Sequence, residues 1–389
     1  MERPVRLLVV DNLAVESHRR EVYRVLGRMF KCEVHLIVPV AWKETRDRVI
    51  CEPETGGAMQ LHPSRILFGF RHQRVLYTGL GRTVRMVQPD FILAVAQPES
   101  YAAAQVCIVR SLSAPRTKLG LFSSRNIDYL KEGFPYKAEF THRLCDRITR
   151  RSRPDVCFYR PAAAESLLAP YARRLTYVPH VVDCSLFRMT PPDSPSGTRS
   201  AVTVGYVGRL VKEKGVHNLL EAMQSLPPQV RLMLVGTGPE ASSLRQFATA
   251  SGLSDRVEFH PPVPYRGMPG ILNRMDVLVL PSLETRYWKE LFGRVLIEAM
   301  ACEVPVVASH SGGIPDVVGE AGILVPVGDT RALVNALGSL CGDPAARREL
   351  GRAGRERVLR NFDIPVVADI LGNEIMTIVG STLVEEARR

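Results

Sequence analysis

The sequence predicts an α/β protein made of two doubly wound domains in tandem, and three observations carry that expectation. Short apolar, β-branched runs alternate with stretches of helical periodicity, the pattern of a parallel sheet with crossover helices. The alternation stops at a stretch rich in Pro, Ser and Gly, then restarts. The chain has 389 residues, enough for two domains of ordinary size.

The first half opens with VRLLVV (5–10) as a strand, VESHRREVYRVLGRMF (15–30) as a helix and CEVHLIVP (32–39) as a second strand. RILFGFRHQRVLYTGLGRTVR (65–85) mixes aromatics with arginines. It suits either a helix with Arg on its wet face or contact with a membrane interface. DFILAVA (90–96), KLGLFSS (118–124), DVCFYR (155–160) and LTYVP (175–179) each fit a buried or half-buried strand. MTPPDSPSGTRS (189–200) reads as a linker. Beyond it AVTVGYVG, VRLMLVG, RVEFH, DVLVLPS, VPVVA and GILVP are strand-like, most of them separated by amphipathic segments. From FDIPVVADILGNEIMTIVG onward the pattern is helical and outlasts the second sheet. The expected organisation is an N-terminal domain over 1–188, the linker, and a C-terminal domain over 201–363. A helical segment, 364–389, is expected to pack back on the first domain.

Hydrophobic residues make up 46% and charged residues 23%, ordinary values for a soluble globular chain. No apolar run reaches the roughly 18 residues of a membrane span, and MERPVRLLVVD lacks the apolar region and cleavage site of a secretory signal. The eight cysteines are dispersed without a CxxC pair, which argues against structural zinc and for reduced thiols in a cytoplasmic protein. The net charge of +11 is uneven: residues 1–200 hold 31 Lys/Arg against 19 Asp/Glu, and residues 201–389 hold 20 against 21. The basic half is either a solvated Arg-rich surface or a face for something anionic, such as a membrane or a phosphorylated lipid. No nucleic-acid-binding motif accompanies the charge.

Two clusters carry chemistry. In VGYVGRLVKEKGVHNLLEAM (204–223) a strand ends at Gly208, and Arg209 and Lys214 follow before an amphipathic helix. Two permanent cations at a strand-to-helix turn suit a diphosphate, Arg as a planar fork of donors and Lys as a point charge. A solvated basic turn beside Glu213 is the plain alternative. In KELFGRVLIEAMA (289–301), Glu290 and Glu298 flank a Phe-Gly pair. On one helix, eight residues at ~1.5 Å each would set them about 12 Å apart. A glycosidase pair needs roughly 5–9.5 Å, so they fail as a hydrolytic dyad. With the helix starting near Gly293, Glu290 belongs to the preceding loop and Glu298 lies more than a turn inside, so the two touch different parts of one extended ligand.

GRLVKEKG, ELFGRVLIE and AMACEVPVVASHSGGIPDVVGEAGILVPVGD occur in this order, with VPHVVDCSLFRM (178–189) ahead of the linker. Together they resemble the donor-binding half of family 4 glycosyltransferases, retaining enzymes of the GT-B fold, in which two Rossmann-like domains face an interdomain cleft. The resemblance is strong over 201–340 and looser over 1–177. It implies a nucleotide-diphosphate sugar (UDP-, GDP- or ADP-linked) as co-substrate, an acceptor that is a glycan, a lipid-linked group or a small molecule, no other cofactor and no metal. Residue by residue, it implies that Arg209 and Lys214 hold the diphosphate and stabilise its departing charge. Glu290 would meet donor-sugar hydroxyls, and backbone N–H groups of Phe292, Gly293 and Arg294 other sugar hydroxyls. Leu296 would lie by the phosphates, Glu298 would accept from the ribose, and Val263 would pack by the base. An acceptor hydroxyl would attack the face the leaving group vacates, with a phosphate oxygen taking its proton.

Departures from the family pattern are visible. The first βα loop, VVDNLAVES, lacks the usual glycines, which puts its backbone contact to the donor in doubt. The N-terminal domain has no clear counterpart of a His near the sugar; LFSSRNIDY stands near its place, with Asn126 or Arg125 as substitutes and a surface loop as the alternative. Glu303 stands where a Gly is common after the helix. His18 is an acceptor-side candidate or a solvated helix residue, and Trp288 either stacks on a ligand or packs its loop. Two rivals remain open, a sugar phosphorylase on the same fold and a catalytically silent partner subunit; the expected location is cytoplasmic, with peripheral association at the inner membrane face as an alternative.

Overall fold

The computed structural model describes residues 3–43, 48–54, 57, 59–68, 73–124, 140–190 and 201–387, with side chains up to 380. Asn126, Arg125 and linker positions 191–200 lie outside the described residues. The chain divides into two compact units, Met1–Pro179 with Ile364–Arg389, and His180–Asp363. Residues 180–188, read from sequence as the end of the first domain, therefore group with the second unit. Arg355 holds them there, donating to the carbonyls of Cys184, Phe187 and Ala301.

The first unit is built on seven parallel strands: β1 Arg6–Asp11, β2 Glu33–Pro39, β3 Met59–Ser64, β4 Phe91–Val95, β5 Lys118–Ser123, β6 Val156–Tyr159 and β7 Leu175–Tyr177. Their spatial order is β7-β6-β5-β4-β1-β2-β3. Six of the seven follow apolar runs that mark buried strands in the sequence; Leu8, Val9, Phe91, Ile92 and Phe158 lie wholly in the core. The seventh, β3, reads MQLHPS, too polar for a buried strand, and its Pro63 is tolerated because β3 is the sheet's edge. The helix offered as one reading of 65–85 is corrected: Ile66–Leu67 pairs antiparallel with Leu76–Tyr77, and among the described residues of this segment helix begins at Leu80, in Leu80–Val87. Helix α1, Glu21–Phe30, packs against the chain's last helix, and a Cβ on Gly372 of that helix would come within 2.1 Å of the Phe30 ring.

The second unit has six parallel strands: β8 Val202–Val207, β9 Val230–Val235, β10 Val257–His260, β11 Val277–Leu280, β12 Val306–Ser309 and β13 Ile323–Val325. Their order is β10-β9-β8-β11-β12-β13. Helices α2 (Val216–Ser225), α3 (Arg294–Ala301) and α4 (Pro344–Asn361) pack around this sheet, and α5 (Ile364–Ala387) is the last helix that returns to the first unit. The core runs through Tyr206, Leu219, Leu234, Val279, Leu296, Met300 and Val307. Among the described residues, no helix is long and apolar enough to cross a membrane.

Candidate active site

In an open parallel sheet, ligands bind beyond the carboxyl ends of the strands where the strand order reverses. In the second unit that point lies between β8 and β11, and the residues of both sequence clusters gather around it. The chain leaves β8 through Gly208 and Arg209, and the buried Tyr206 hydroxyl fixes this exit by donating to the Arg209 carbonyl at 2.8 Å. Burial raises the Tyr206 phenol, the charge of Glu290 adds to the shift, and Arg209 opposes it. Both charges therefore act on one ring at the sheet's end. The Arg209 side chain is exposed.

Lys214 ends a short 3-10 turn, Lys212–Lys214. Gly215 follows with φ 65°, and a Cβ there would stand 2.0 Å from the Pro281 carbonyl. Only glycine lets this turn close on the loop after β11. The Leu283 N–H seals the contact by donating to Glu213 O at 2.8 Å. Lys214 is thereby turned toward Glu290, and the two form an ion pair. The wholly buried Ser282 donates to the same carboxylate oxygen at 2.9 Å. The Lys214 ammonium lies 5.4 Å from the centre of the Trp288 ring, within cation–π range.

The loop that carries Glu290 is pinned from its other side. The Gly313 N–H donates to the Glu290 carbonyl at 3.0 Å, and a Cβ on Gly312 would lie 2.0 Å from that oxygen. Glu284 accepts from the Gly312 N–H at 3.1 Å and pairs with Lys289 at 3.2 Å. Burial alone would raise the Glu284 carboxyl, but the Gly312 and Lys289 contacts outweigh it and hold it below the usual range.

Helix α3 begins where the sequence places it. Gly293 is left-handed (φ 76°), and its Cβ would meet Leu280 at 2.7 Å and Leu296 at 2.9 Å. No side chain caps this terminus, so the first N–H groups point outward, as at an anion site. Phe292 is a core anchor, its ring 4.5 Å from His180 and 5.7 Å from Phe362. Leu296 is fully buried. Glu298 is nine-tenths buried, and burial raises its carboxyl above the 4.5 of an ordinary glutamate, against the pull of Arg294. Arg294 stands 3.7 Å away, longer than a hydrogen bond, which leaves the carboxylate able to accept from a ligand. Val263 is half-buried in the loop after β10 and packs on the unit's core. Two positions on, Tyr265 feels the charges of Glu298 and Arg294, so this loop passes beside Glu298.

Sequence reasoning missed Ser282 and Tyr265. Ser282 had one signal, its place directly after a strand at the switch point. Trp288, left open between ligand and loop, faces Lys214. Glu303, standing where a Gly is common after the helix, takes the left-handed conformation (φ 60°). His18 is half-buried in a 3-10 turn, Ser17–Arg20, after β1. The loop between β1 and that turn is organised by side chains in place of glycines. Asp11 accepts from the Leu13 N–H at 2.8 Å and the Tyr23 hydroxyl at 3.0 Å, and burial raises its carboxyl. Arg20, wholly buried, donates to the carbonyls of Ala14, Val15 and Glu52 at 2.7–2.8 Å. Among the described residues, no three His, Cys, Asp or Glu side chains form a metal-ligating group.

Two doubly wound units of this topology define the GT-B fold. The structure of sucrose-phosphate synthase from Thermosynechococcus elongatus superposes with a TM-score of 0.72 over 97% of this chain and 100% of that one, at 21% identity. Residues 198–357 match the family described as glycosyl transferases group 1. Over 211 residues it is 33% identical to the GDP-mannose-dependent monoacylated alpha-(1-6)-phosphatidylinositol monomannoside mannosyltransferase of Corynebacterium glutamicum, across 51% of this chain and 55% of that protein. Over 176 residues it is 35% identical to the 2-deoxystreptamine N-acetyl-D-glucosaminyltransferase of Streptomyces fradiae, across 41% of each. The chain spans about half the length of the curated relatives it matches.

Proposed function

We propose that this protein is a retaining, family 4 glycosyltransferase that moves a sugar from a nucleotide-diphosphate sugar to an acceptor hydroxyl without a divalent metal. One observation carries the reading: at the switch point of the second unit, Lys214 meets Glu290 while α3 runs from an uncapped Gly293 start to a buried, partly open Glu298. Sugar, diphosphate and ribose have matching chemistry in that order along one loop and one helix. The match of residues 198–357 to the glycosyl transferases group 1 family and the sugar-transferring activities named for both relatives support it. Those relatives are named for different sugars, so the likeness does not choose the donor.

In the reaction, the bond from the anomeric carbon to the diphosphate oxygen breaks as the acceptor oxygen bonds to the same carbon. The acceptor's proton passes to the departing diphosphate. Arg209 and Lys214 stabilise the charge that collects on the leaving group. Glu290 and the N–H groups at Phe292, Gly293 and Arg294 orient the sugar, Leu296 lies by the phosphates, Glu298 holds the ribose and Val263 lies by the base. Acceptor recognition falls to the first unit. Its excess of positive charge, and the phosphatidylinositol-based acceptor named for one relative, support an anionic or membrane-borne acceptor met from the cytoplasmic face.

A thermal-shift screen against UDP, GDP, ADP and their sugars tests the donor half. One nucleotide class is expected to raise the Tm in a concentration-dependent way; no shift with any of them contradicts the reading.

A further inference from the structure

The Lys214–Glu290 pair raises a question about that site, because each partner is assigned to a different part of the donor. Lys214 is held by Glu290 and covered by the Trp288 ring. The carboxylate also takes the buried Ser282 hydroxyl, and its backbone is fixed by the turn at Gly312–Gly313. The pair is largely removed from water, the two side chains being 14% and 10% exposed. It is a built contact, not a solvated surface pair.

A diphosphate reaching Lys214 competes with Glu290 for the ammonium, and it meets that carboxylate's negative charge as it does so. Glu290 would then be left buried with Ser282 as a donor and no cation, an unfavourable state for a carboxylate. A sugar attached to the diphosphate relieves this, because its hydroxyls donate to the oxygen Lys214 has left. A free nucleoside diphosphate brings no such donors.

Resting on the reading of this site as a sugar-nucleotide site, we propose that the Lys214–Glu290 pair is an exchange latch that selects the sugar nucleotide over the free nucleoside diphosphate. The ligand trades partners with the pair: phosphate for Glu290 at Lys214, sugar hydroxyls for Lys214 at Glu290. After transfer the sugar is gone, and re-formation of the pair drives the nucleoside diphosphate out. Ser282 is a positioning residue that keeps the carboxylate aimed at the exchange point.

The test compares dissociation constants of UDP, GDP, UDP-glucose and GDP-mannose for the wild type and Glu290→Gln. The amide keeps the shape and removes the charge. The latch predicts that Glu290→Gln binds the free nucleoside diphosphate several-fold more tightly than the wild type. Preference for the sugar nucleotide should fall at least tenfold. Unchanged or weaker nucleoside diphosphate binding in Glu290→Gln overturns the latch while leaving the sugar-nucleotide reading intact; binding by neither protein of any of the four, or of ADP and ADP-glucose, overturns both. A second measurement uses the wild-type fold. Saturating nucleoside diphosphate should change tryptophan emission as the ammonium leaves the Trp288 ring, and Trp288→Phe should abolish that change. Saturation without any change in emission overturns the latch.

Discussion

The two loops that leave the first strand of each sheet, after β1 and after β8, occupy the same place in the same topology and are built on opposite principles. The loop after β1 is closed by side chains: Asp11 binds Tyr23 and the Leu13 N–H, and buried Arg20 spends its guanidinium on three backbone carbonyls and on Glu54. Its polar groups are satisfied internally, with little left for an anion. The loop after β8 is closed by backbone. Gly236 and Gly238 lie so near Gly208 and Leu210 that a Cβ on either would come about 2 Å from a carbonyl oxygen, and Gly215 does the same against Pro281. Backbone closure takes neither the Arg209 nor the Lys214 side chain, leaving Arg209 exposed and Lys214 paired with Glu290. The same fold position is closed by side chains in one unit and by backbone in the other, and on the proposed function only the second is left to meet a ligand.

The largest expected effect breaks the first loop. Arg20→Met strands the Ala14, Val15 and Glu52 carbonyls, and urea unfolding should show a loss of about 3–5 kcal/mol. Nucleotide affinity per folded molecule should stay unchanged; a weakened affinity would mean that this loop serves the donor after all. Next comes Lys214→Ala, expected to lower kcat by roughly 10²–10³, the usual loss on removing one charge-stabilising donor.

A pH titration of nucleotide affinity sharpens the contrast further. Burial raises the Glu298 carboxyl, and on the proposed function ribose hydroxyls donate to its ionised form. Affinity should be full above that raised value and weaken as pH falls through it, beginning at a higher pH than for an ordinary glutamate. Glu298→Gln should flatten the profile. For folding the sign is reversed. The native state holds this proton more tightly than the unfolded chain, so the group's contribution to stability is present at acid pH and lost as pH rises through the native value. The smallest effect is Glu303→Gly, which removes a left-handed non-glycine and should stabilise by about 1 kcal/mol or less, with affinity untouched.

Strands were legible in the sequence wherever burial on both faces writes an apolar run, as in DVLVLPS or DFILAVA. They were illegible at the edge, where β3 satisfies one partner only and can carry Gln60, His62 and Pro63. The 65–85 segment shows the same limit, since its hairpin of two-residue strands is too short for any period to register. In the site, Gly293 and the two glutamates could be placed because helix starts have local signatures. The Lys214–Glu290 pair could not, because it joins residues 76 positions apart through the register of β8 and β11. Ser282 acquires its meaning only from that pairing. The basic half of the chain was visible as a count, whereas its target was not. Binding to acidic vesicles that falls steeply with added salt would assign it to a membrane face, and salt-insensitive or absent binding would remove that assignment.

The central claim is that the second unit's switch point is the nucleotide site, and calorimetric titration of UDP, GDP and ADP into the wild type and Lys214→Ala tests it most directly. The account predicts saturable binding of one of the three at one site per chain, weakened at least tenfold in Lys214→Ala. Equal affinity in both proteins, or no binding by the wild type, would contradict it.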